Sequence, residues 1–168
     1  MGRATRLTHA NAAGRARMVD VGGKRITRRC AVAEGRVSMG TEAYRLLREN
    51  RLAKGDALAV ARLAGIQAAK RTAEWIPLCH TVPLDDIDVE VVLDDAASEA
   101  RVVATARARW TTGVEMEALV AVSAACLAIY DMAKGIDRGM RIETIALLEK
   151  SGGRSGTWRR AAAPKTRG

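Results

Sequence analysis

The chain has 168 residues, of which 48% are hydrophobic and 28% charged, which predicts one soluble globular domain and leaves too little chain for two. The formal net charge of +9 would suit a nucleic-acid or membrane-surface partner, but residues 1–17 and 154–168 carry all of the excess. Basic chain ends are more often solvated than functional, so the balanced middle of the chain argues against both partners.

The first predicted elements are an irregular segment, a strand and a short helix. Residues 1–17 contain turn-forming residues and make up a basic N-terminal segment. Residues 28–38 alternate loosely between apolar and polar side chains, which predicts a strand or a short hairpin with Gly35 at its turn. Thr41 is a suitable N-cap for a helix over residues 43–51.

The first long helix is predicted over residues 55–75, and Asp56 can cap its start. Its apolar face consists of small side chains, and Gly65 lies among them although glycine destabilises a helix by about 1 kcal/mol relative to alanine. Close packing of another backbone against this face would explain the glycine. Pro77 ends the helix, so residues 77–83 form a constrained loop.

The C-terminal half predicts two strands, a second long helix and a final strand. The two strands cover residues 84–93 and 101–110, the helix covers residues 115–134, and the last strand lies around residues 141–149. Residues 118–130 of the helix are uncharged, which indicates burial against both the sheet and a second subunit. This order of elements predicts an α+β fold of the ferredoxin-like type, a split βαβ sandwich with helices packed on an antiparallel sheet.

The domain organisation follows from these elements and from the charge distribution. A single catalytic domain is predicted over residues 18–158, between the basic irregular segment at residues 1–17 and a basic tail at residues 159–168. Residues 151–156 form a flexible, glycine-rich loop near the end of this domain.

Three further features exclude other classes of protein. Only five aromatic side chains are present and none is Phe, which is too few for the stacking surface of a single-stranded nucleic-acid binder. The three cysteines are widely spaced and odd in number, so no disulfide framework is indicated. The sequence has no signal-peptide pattern and no apolar run near the roughly 18 residues of a membrane span, so we expect a cytoplasmic protein.

The start of the first long helix has two interpretations. Lys54 directly precedes Gly55 and Asp56, and a helix N-terminus with an adjacent lysine can bind phosphate. A solvent-exposed lysine before an ordinary helix cap explains the same residues. The spacing alone favours the second interpretation, and it leaves the first one open.

The constrained loop at residues 77–83 contains a cysteine beside a histidine. Cys79 and His80 are metal-ligating residue types, but no second pair lies at ligand spacing, so no metal site is predicted. The rigid loop places His80 well to hydrogen-bond a ligand, and a structural role is equally consistent with its residue type.

Charged side chains lie at both ends of the second long helix. Glu115 and Glu117 in its first turn interact favourably with the helix macrodipole, which is sufficient to explain them. Asp131 and Lys134, one turn apart at the other end, could form a simple surface ion pair, but the large side chains on either side of Asp131 favour partial burial, which we expect. Burial would raise the pKa of Asp131 and favour the uncharged form of its lysine partner, which is a tuning that acid–base catalysis uses.

Several longer motifs follow one another from about residue 9 to residue 156. They are Met18-Val19-Asp20-Val21 with Lys24, Thr27 and Arg29, then Lys54-Gly55-Asp56, residues 64–72 (AGIQAAKRT), 76–80 (IPLCH), 112–119 (TGVEMEAL), 129–134 (IYDMAK) and 150–156 (KSGGRSG). In this number and order they resemble the motifs of the cyclic pyranopterin monophosphate synthases, the second enzyme of molybdenum cofactor biosynthesis.

The resemblance implies a lyase that acts on a guanosine triphosphate derivative already cyclised between the ribose and C8 of the base. The five-membered ring of the purine is rebuilt into a pyranopterin, and a cyclic phosphate forms with release of pyrophosphate. The resemblance also implies a ferredoxin-like fold assembled as a homohexamer, a trimer of dimers, with sites at subunit interfaces. No cofactor is expected.

The resemblance also implies three groups of site residues, which are catalytic residues, substrate-binding residues and basic residues for the triphosphate. A triphosphate needs several cations, and the departure of pyrophosphate needs its growing charge neutralised. The proton transfers of the ring rearrangement suit a lysine. The three groups are, in the same order, Asp131, Lys134 and Lys54; Leu78, Cys79, His80, Met116 and Glu117; and Lys24, Arg29, Lys70 and Lys150.

Two alternative functions follow from the same residues. A catalytically inactive relative would bind phosphorylated ligands as an oligomeric scaffold, but it would have lost a key residue, and Lys54, His80, Asp131 and Lys134 are all present. A nucleic-acid-binding module would rest only on the basic chain ends.

Arg154 stands where lysine is frequent in the family, and because a guanidinium does not titrate usefully we expect no proton transfer there.

Overall fold

The computed structural model describes residues 16–161 and contains a five-stranded sheet with its long helices packed on one face. The elements follow the predicted order, with a short helix added after the first long one and a short strand added at the end. In chain order they are β1 Thr27–Ser38, α1 Thr41–Arg48, α2 Ala57–Ala69, α3 Thr72–Trp75, β2 Asp86–Asp94, β3 Glu99–Trp110, α4 Glu115–Ala133, β4 Arg141–Ser151 and β5 Trp158–Arg159.

The sheet has the strand order of a ferredoxin-like fold. The order is β2-β3-β1-β4-β5, and every neighbouring pair is antiparallel. Because β1 and β2 both pair with β3, they run parallel to each other, and α1, α2 and α3 form the crossover between them. The helix α4 forms the second crossover, from β3 to β4. The predicted α+β fold of the ferredoxin-like type is therefore confirmed.

The turn expected at Gly35 is absent, because β1 passes through this residue in unbroken register with β3. A Cβ atom on Gly35 would lie 2.5 Å from Cγ1 of Val122 and 3.0 Å from Sγ of Cys126, both on α4. The glycine therefore lets the helix approach the sheet closely, and its role is packing rather than chain reversal.

The helices α2 and α4 meet along a seam of small residues. A Cβ atom on Gly65 would lie 2.9 Å from the backbone oxygen of Ala121, so the close backbone approach expected at this glycine is confirmed. Lys54, just before α2, contacts Asp131 near the end of α4, which shows that the two helices run antiparallel. The start of α4 therefore lies beside the end of α2.

The helix α4 is long and apolar enough to cross a membrane when only its length and composition are considered, which the sequence interpretation did not anticipate. However, 56% of its apolar window is buried, and it packs against α2 and the sheet. Val122 and Ile129 are completely inaccessible to solvent. These contacts are those of the central core helix of a globular domain.

The ends of the two N-terminal helices differ in part from the prediction. Asp56 caps α2 as expected, because its carboxylate accepts a hydrogen bond of 2.9 Å from the N–H of Ala59. Thr41 is the first residue of α1 and not its cap, since Gly40 takes that position. The first long helix ends at Ala69, and the predicted remainder up to residue 75 contains the separate helix α3.

The edge strand β2 carries acidic side chains on alternate residues. Asp86, Asp88 and Glu90 are exposed on the face of the sheet away from the helices, while Val89 and Val91 are buried on the opposite face. This alternation is the period of a strand with one face in the core.

Part of the predicted basic tail belongs to the fold. The strand β5 pairs with the end of β4, and Nε of Arg159 donates to a carboxylate oxygen of Glu149 at 3.0 Å. The backbone N–H of Arg160 donates to the carbonyl oxygen of Leu148 at 2.8 Å. The first two residues of the predicted tail, Arg159 and Arg160, therefore bond to β4. Residues 1–15 and 162–168, where most of the basic ends lie, are outside the described residues.

Deletion of residues 162–168 should leave turnover within about twofold of the full chain, because β5 keeps its pairing with β4. Deletion of residues 158–168 should lower the midpoint of thermal unfolding, because it removes β5 and the Arg159–Glu149 ion pair. Turnover and thermal unfolding of both truncations, measured side by side, test this. A tenfold loss of turnover in the shorter deletion, with its oligomer intact, would contradict a solvated tail.

Candidate active site

Lys54 lies in a turn that requires glycine, directly before α2. Gly55 has a φ of 97°, and its N–H donates to the carbonyl oxygen of Leu52 at 3.0 Å. The carboxylate of Asp56 already occupies the N-terminus of α2, where a bound phosphate would meet its negative charge. Of the two interpretations of this segment, the structure therefore favours the ordinary helix cap over phosphate binding.

Lys54, Asp131 and Lys134 form a lysine–aspartate cluster at the C-terminal end of α4. Nζ of Lys54 donates to Oδ2 of Asp131 at 2.7 Å and to its backbone oxygen at 2.8 Å. Nζ of Lys134 lies 2.6 Å from Oδ1 of the same carboxylate. Because the last carbonyl groups of a helix lack intrahelical partners, the backbone contact of Lys54 also stabilises the end of α4.

The burial expected for the Asp131–Lys134 pair is not observed. The side chain of Asp131 is 55% exposed in the single chain, and those of Lys54 and Lys134 are about half exposed. The hydrogen bonds from Lys134 and then Lys54 lower the pKa of Asp131 to about 2, so the predicted rise is wrong. Asp131 is thus a carboxylate at neutral pH, and it fixes two ammonium groups side by side at the surface.

Six predicted residues meet at the other end of α4, around a cavity of about 320 Å³ that we call the inner cavity. Three come from the loop between α3 and β2, two from the first turn of α4, and one from the segment before β1. They are Leu78, Cys79, His80, Met116, Glu117 and Lys24.

Glu117 is the buried titratable group of the inner cavity, with only 3% of its surface exposed. Burial raises its pKa to about 7, and the nearby negative charge of Glu115 acts in the same direction. Burial, with a smaller contribution from the charge of Glu117, also raises the pKa of the Cys79 thiol, which disfavours a nucleophilic thiolate. A carboxyl group with a pKa near 7 can accept hydrogen bonds when ionised and donate one when protonated.

A second cavity of about 650 Å³, which we call the basic cavity, adjoins the inner cavity and shares Lys24 and Glu115 with it. Its charged lining among the described residues consists of five cations and one carboxylate. Such a surplus of cations suits a polyphosphate. The cations are Lys24, Arg25, Arg29, Lys150 and Arg154.

Arg29 is held in place in the basic cavity by backbone groups. Its Nε donates to the carbonyl oxygen of Trp110 at 3.2 Å, and its Nη2 donates to that of Thr111 at 3.1 Å. Gly153 has a φ of 71° and packs against this guanidinium. A Cβ atom on Gly153 would lie 2.0 Å from Nη1 of Arg29, so only glycine fits. The glycine-rich loop and β1 therefore build this wall of the cavity together.

Three residues show where the sequence interpretation and the structure differ. Lys70 is the exposed C-cap of α2 and lines neither cavity of the single chain, so its assignment to the triphosphate stays a prediction. Arg25 and Glu115 line the cavities but were not predicted as site residues. The signal for Arg25 was its position beside Lys24, whereas the macrodipole had sufficed to explain Glu115.

Metal-ligating side chains are not clustered in the part of the chain that the structure describes. Across residues 16–161, no group of three or more His, Cys, Asp or Glu side chains is arranged to hold a metal ion.

Comparison with known proteins places these residues in a family. Residues 18–153 match the MoaC family. The chain is 58% identical to a cyclic pyranopterin monophosphate synthase of Thermomicrobium roseum over 158 residues, which cover 92% of this chain and 93% of the relative. The corresponding synthase of Chloroflexus aurantiacus is 56% identical over 92% of this chain and 94% of its own. That of a Methylobacterium species is 57% identical over 90% and 95%. The chain belongs to the MoaC family.

Proposed function

We propose that this chain is a lyase that converts the cyclised guanosine triphosphate derivative into cyclic pyranopterin monophosphate with release of pyrophosphate, in molybdenum cofactor biosynthesis. The high identity to relatives named for this product, over nearly their whole length, supports the proposal. The observation that carries it is that the site residues implied by the resemblance, except Lys70, gather into one cluster and two adjoining cavities.

The two cavities fit the two parts of such a substrate. The basic cavity binds the triphosphate, because its cations compensate the phosphate charge and the growing charge of the leaving pyrophosphate. The inner cavity takes the base, and the carboxyl group of Glu117 pairs with polar N–H groups at the edge of the ring system. Lys24 lines both cavities, so it lies at the junction of base and phosphates.

The lysine–aspartate cluster supplies the proton transfers and the charge stabilisation of the ring rearrangement. Glu117 and Asp131 are fourteen residues apart on α4, which corresponds to about 21 Å along the helix axis. That separation is too long for one nucleotide to use both ends of a single helix at its reacting centre. Each active site therefore combines the cluster of one chain with the cavities of another, in a homohexamer built as a trimer of dimers. The assembled enzyme acts in the cytoplasm.

Incubation of the purified protein with the cyclised nucleotide tests the proposed function. We expect pyrophosphate and the pterin product to appear in equal amounts, and guanosine triphosphate itself, which lacks the ribose–base bond, to give neither. The measurement is chromatographic detection of both products. Binding of the cyclised nucleotide without release of pyrophosphate, by the folded oligomer, would instead support the inactive phosphate-binding relative.

A further inference from the structure

Residues 18–26, which we call the strap, precede β1 and contribute to both cavities. Val19 and Val21 line the inner cavity, Lys24 lines both, and Arg25 lines the basic cavity. Two cations of the basic cavity therefore belong to a segment without helix or strand structure. Their position relative to the phosphates depends on what holds the strap in place.

Burial fixes the strap only in part, because Val19 and Val21 are half-buried and its other residues are exposed. Met18 and Ile26, its first and last residues, are 49% and 64% exposed. Two of its hydrogen bonds are local: the N–H of Gly22 donates to Asp20 at 2.9 Å, and that of Lys24 donates to the carbonyl oxygen of Val21 at 3.1 Å. These contacts shape the strap internally, but they do not attach it to the rest of the domain.

Among the described residues, a single side-chain hydrogen bond ties the strap to another element. Nε2 of His80 lies 2.8 Å from the backbone oxygen of Val19. Because a carbonyl oxygen can only accept, Nε2 must carry the proton and donate it. The loop that holds His80 lies between Pro77 and Pro83, which restrict its backbone. Within residues 16–161, this bond from a rigid loop is therefore the one side-chain hydrogen bond that holds the strap against another element.

We propose that His80 is a positioning residue, whose hydrogen bond to Val19 holds the strap so that Lys24 faces the phosphate groups of the ligand. His80 lines the inner cavity, but its donating nitrogen is used by the strap and not by the substrate. The inference rests on the proposed function for the identity of the ligand, a triphosphate group. It predicts that His80 acts on phosphate binding through Lys24.

Three substitutions at His80 separate this role from a direct contact with the ligand. His80→Gln keeps an N–H donor at about the reach of Nε2, whereas His80→Leu removes the donor. His80→Asn is polar but too short to reach Val19, and it replaces the leucine variant if that variant does not fold. The probe is inorganic tripolyphosphate, and its affinity is measured by calorimetry on variants whose oligomer mass and unfolding midpoint match the parent.

We expect His80→Leu and His80→Asn to weaken tripolyphosphate binding about three- to tenfold, the range of one net hydrogen bond, and His80→Gln to stay within about twofold. In a Lys24→Ala background, His80→Leu should weaken binding by less than about twofold further, because the cation that it positions is gone. Equal losses in the glutamine and leucine variants, or fully multiplicative effects with Lys24→Ala, would overturn the proposal.

A second measurement needs no ligand. Trypsin cleaves after Lys24 and Arg25, so the rate of cleavage in the folded protein reports how firmly the strap is held. We expect faster cleavage after Lys24 and Arg25 in His80→Leu and the parental rate in His80→Gln. Equal rates in the parent and both variants would contradict the proposal that His80 holds the strap. Turnover of the cyclised nucleotide is not used here, so a failure of the proposed function would leave both results interpretable.

Discussion

Replacing Lys134 by alanine should lower single-turnover rates at least ~10²-fold, which is the lower end for general acid–base catalysis. Lys134 lies 2.6 Å from the carboxylate of Asp131 in the lysine–aspartate cluster. It does not line the basic cavity, whose cations are proposed to bind the triphosphate. A group used mainly in the transition state affects turnover more than ground-state binding. The affinity for the cyclised nucleotide, measured by calorimetry, should therefore change by less than about fivefold.

Two further variants sharpen the interpretation of Lys134. Lys134→Arg should also be slow, because a guanidinium keeps its charge but does not give up its proton. Arg62→Ala is the matched control: it removes one exposed cation from α2 outside the cluster and cavities, and it should stay within about twofold of the parent. Parental turnover in Lys134→Arg would exclude proton transfer by Lys134 and leave only charge stabilisation.

Mixed oligomers of Asp131→Ala and Glu117→Ala subunits should regain activity that neither variant shows alone. If each site takes the cluster from one chain and the inner cavity from another, random assembly leaves about a quarter of the sites with both parts intact. The measurement is turnover after dissociation, mixing and reassembly, with the mixed composition verified by mass. Absence of any recovery in verified mixed oligomers would place both ends of α4 in sites formed by one chain.

A mixture of Lys54→Ala and Asp131→Ala subunits is the matched control for this experiment. These two residues are joined by a 2.7 Å ion pair within one chain, so every chain in the mixture carries a damaged cluster. We therefore expect no recovery. Recovery in this control would show that Lys54 reaches the Asp131 of another subunit during catalysis.

The periodicity of the sequence was sufficient to predict the fold. Strand alternation and two long apolar helices gave the element order, and the ferredoxin-like strand order follows from that succession. The strand β5 was missed because two residues carry no periodic signal. The role of Gly35 was misjudged because the contact that requires a glycine comes from Val122 and Cys126, about ninety residues away.

The residues of the candidate site were predicted from motifs, but the exposure and the pKa shift of Asp131 could not be predicted from them. Asp131 follows a long uncharged part of α4, and this pattern suggested that its side chain is buried. Its observed exposure depends on where the end of α4 lies in the domain, which the sequence does not show. The second lysine on this carboxylate, Lys54, comes from 77 residues earlier, and only the antiparallel packing of α2 and α4 brings it there. The direction of the pKa shift followed from these tertiary contacts.

The acidic alternation on β2 has a consequence for the solution behaviour of the protein. Because β2 is an edge strand, its free N–H and C=O groups could template the addition of another strand and so begin aggregation. An incoming copy of β2 in antiparallel register would bring Asp86, Asp88 and Glu90 against the same row of acids. Like-charge repulsion thus disfavours the pairing of two copies along this edge.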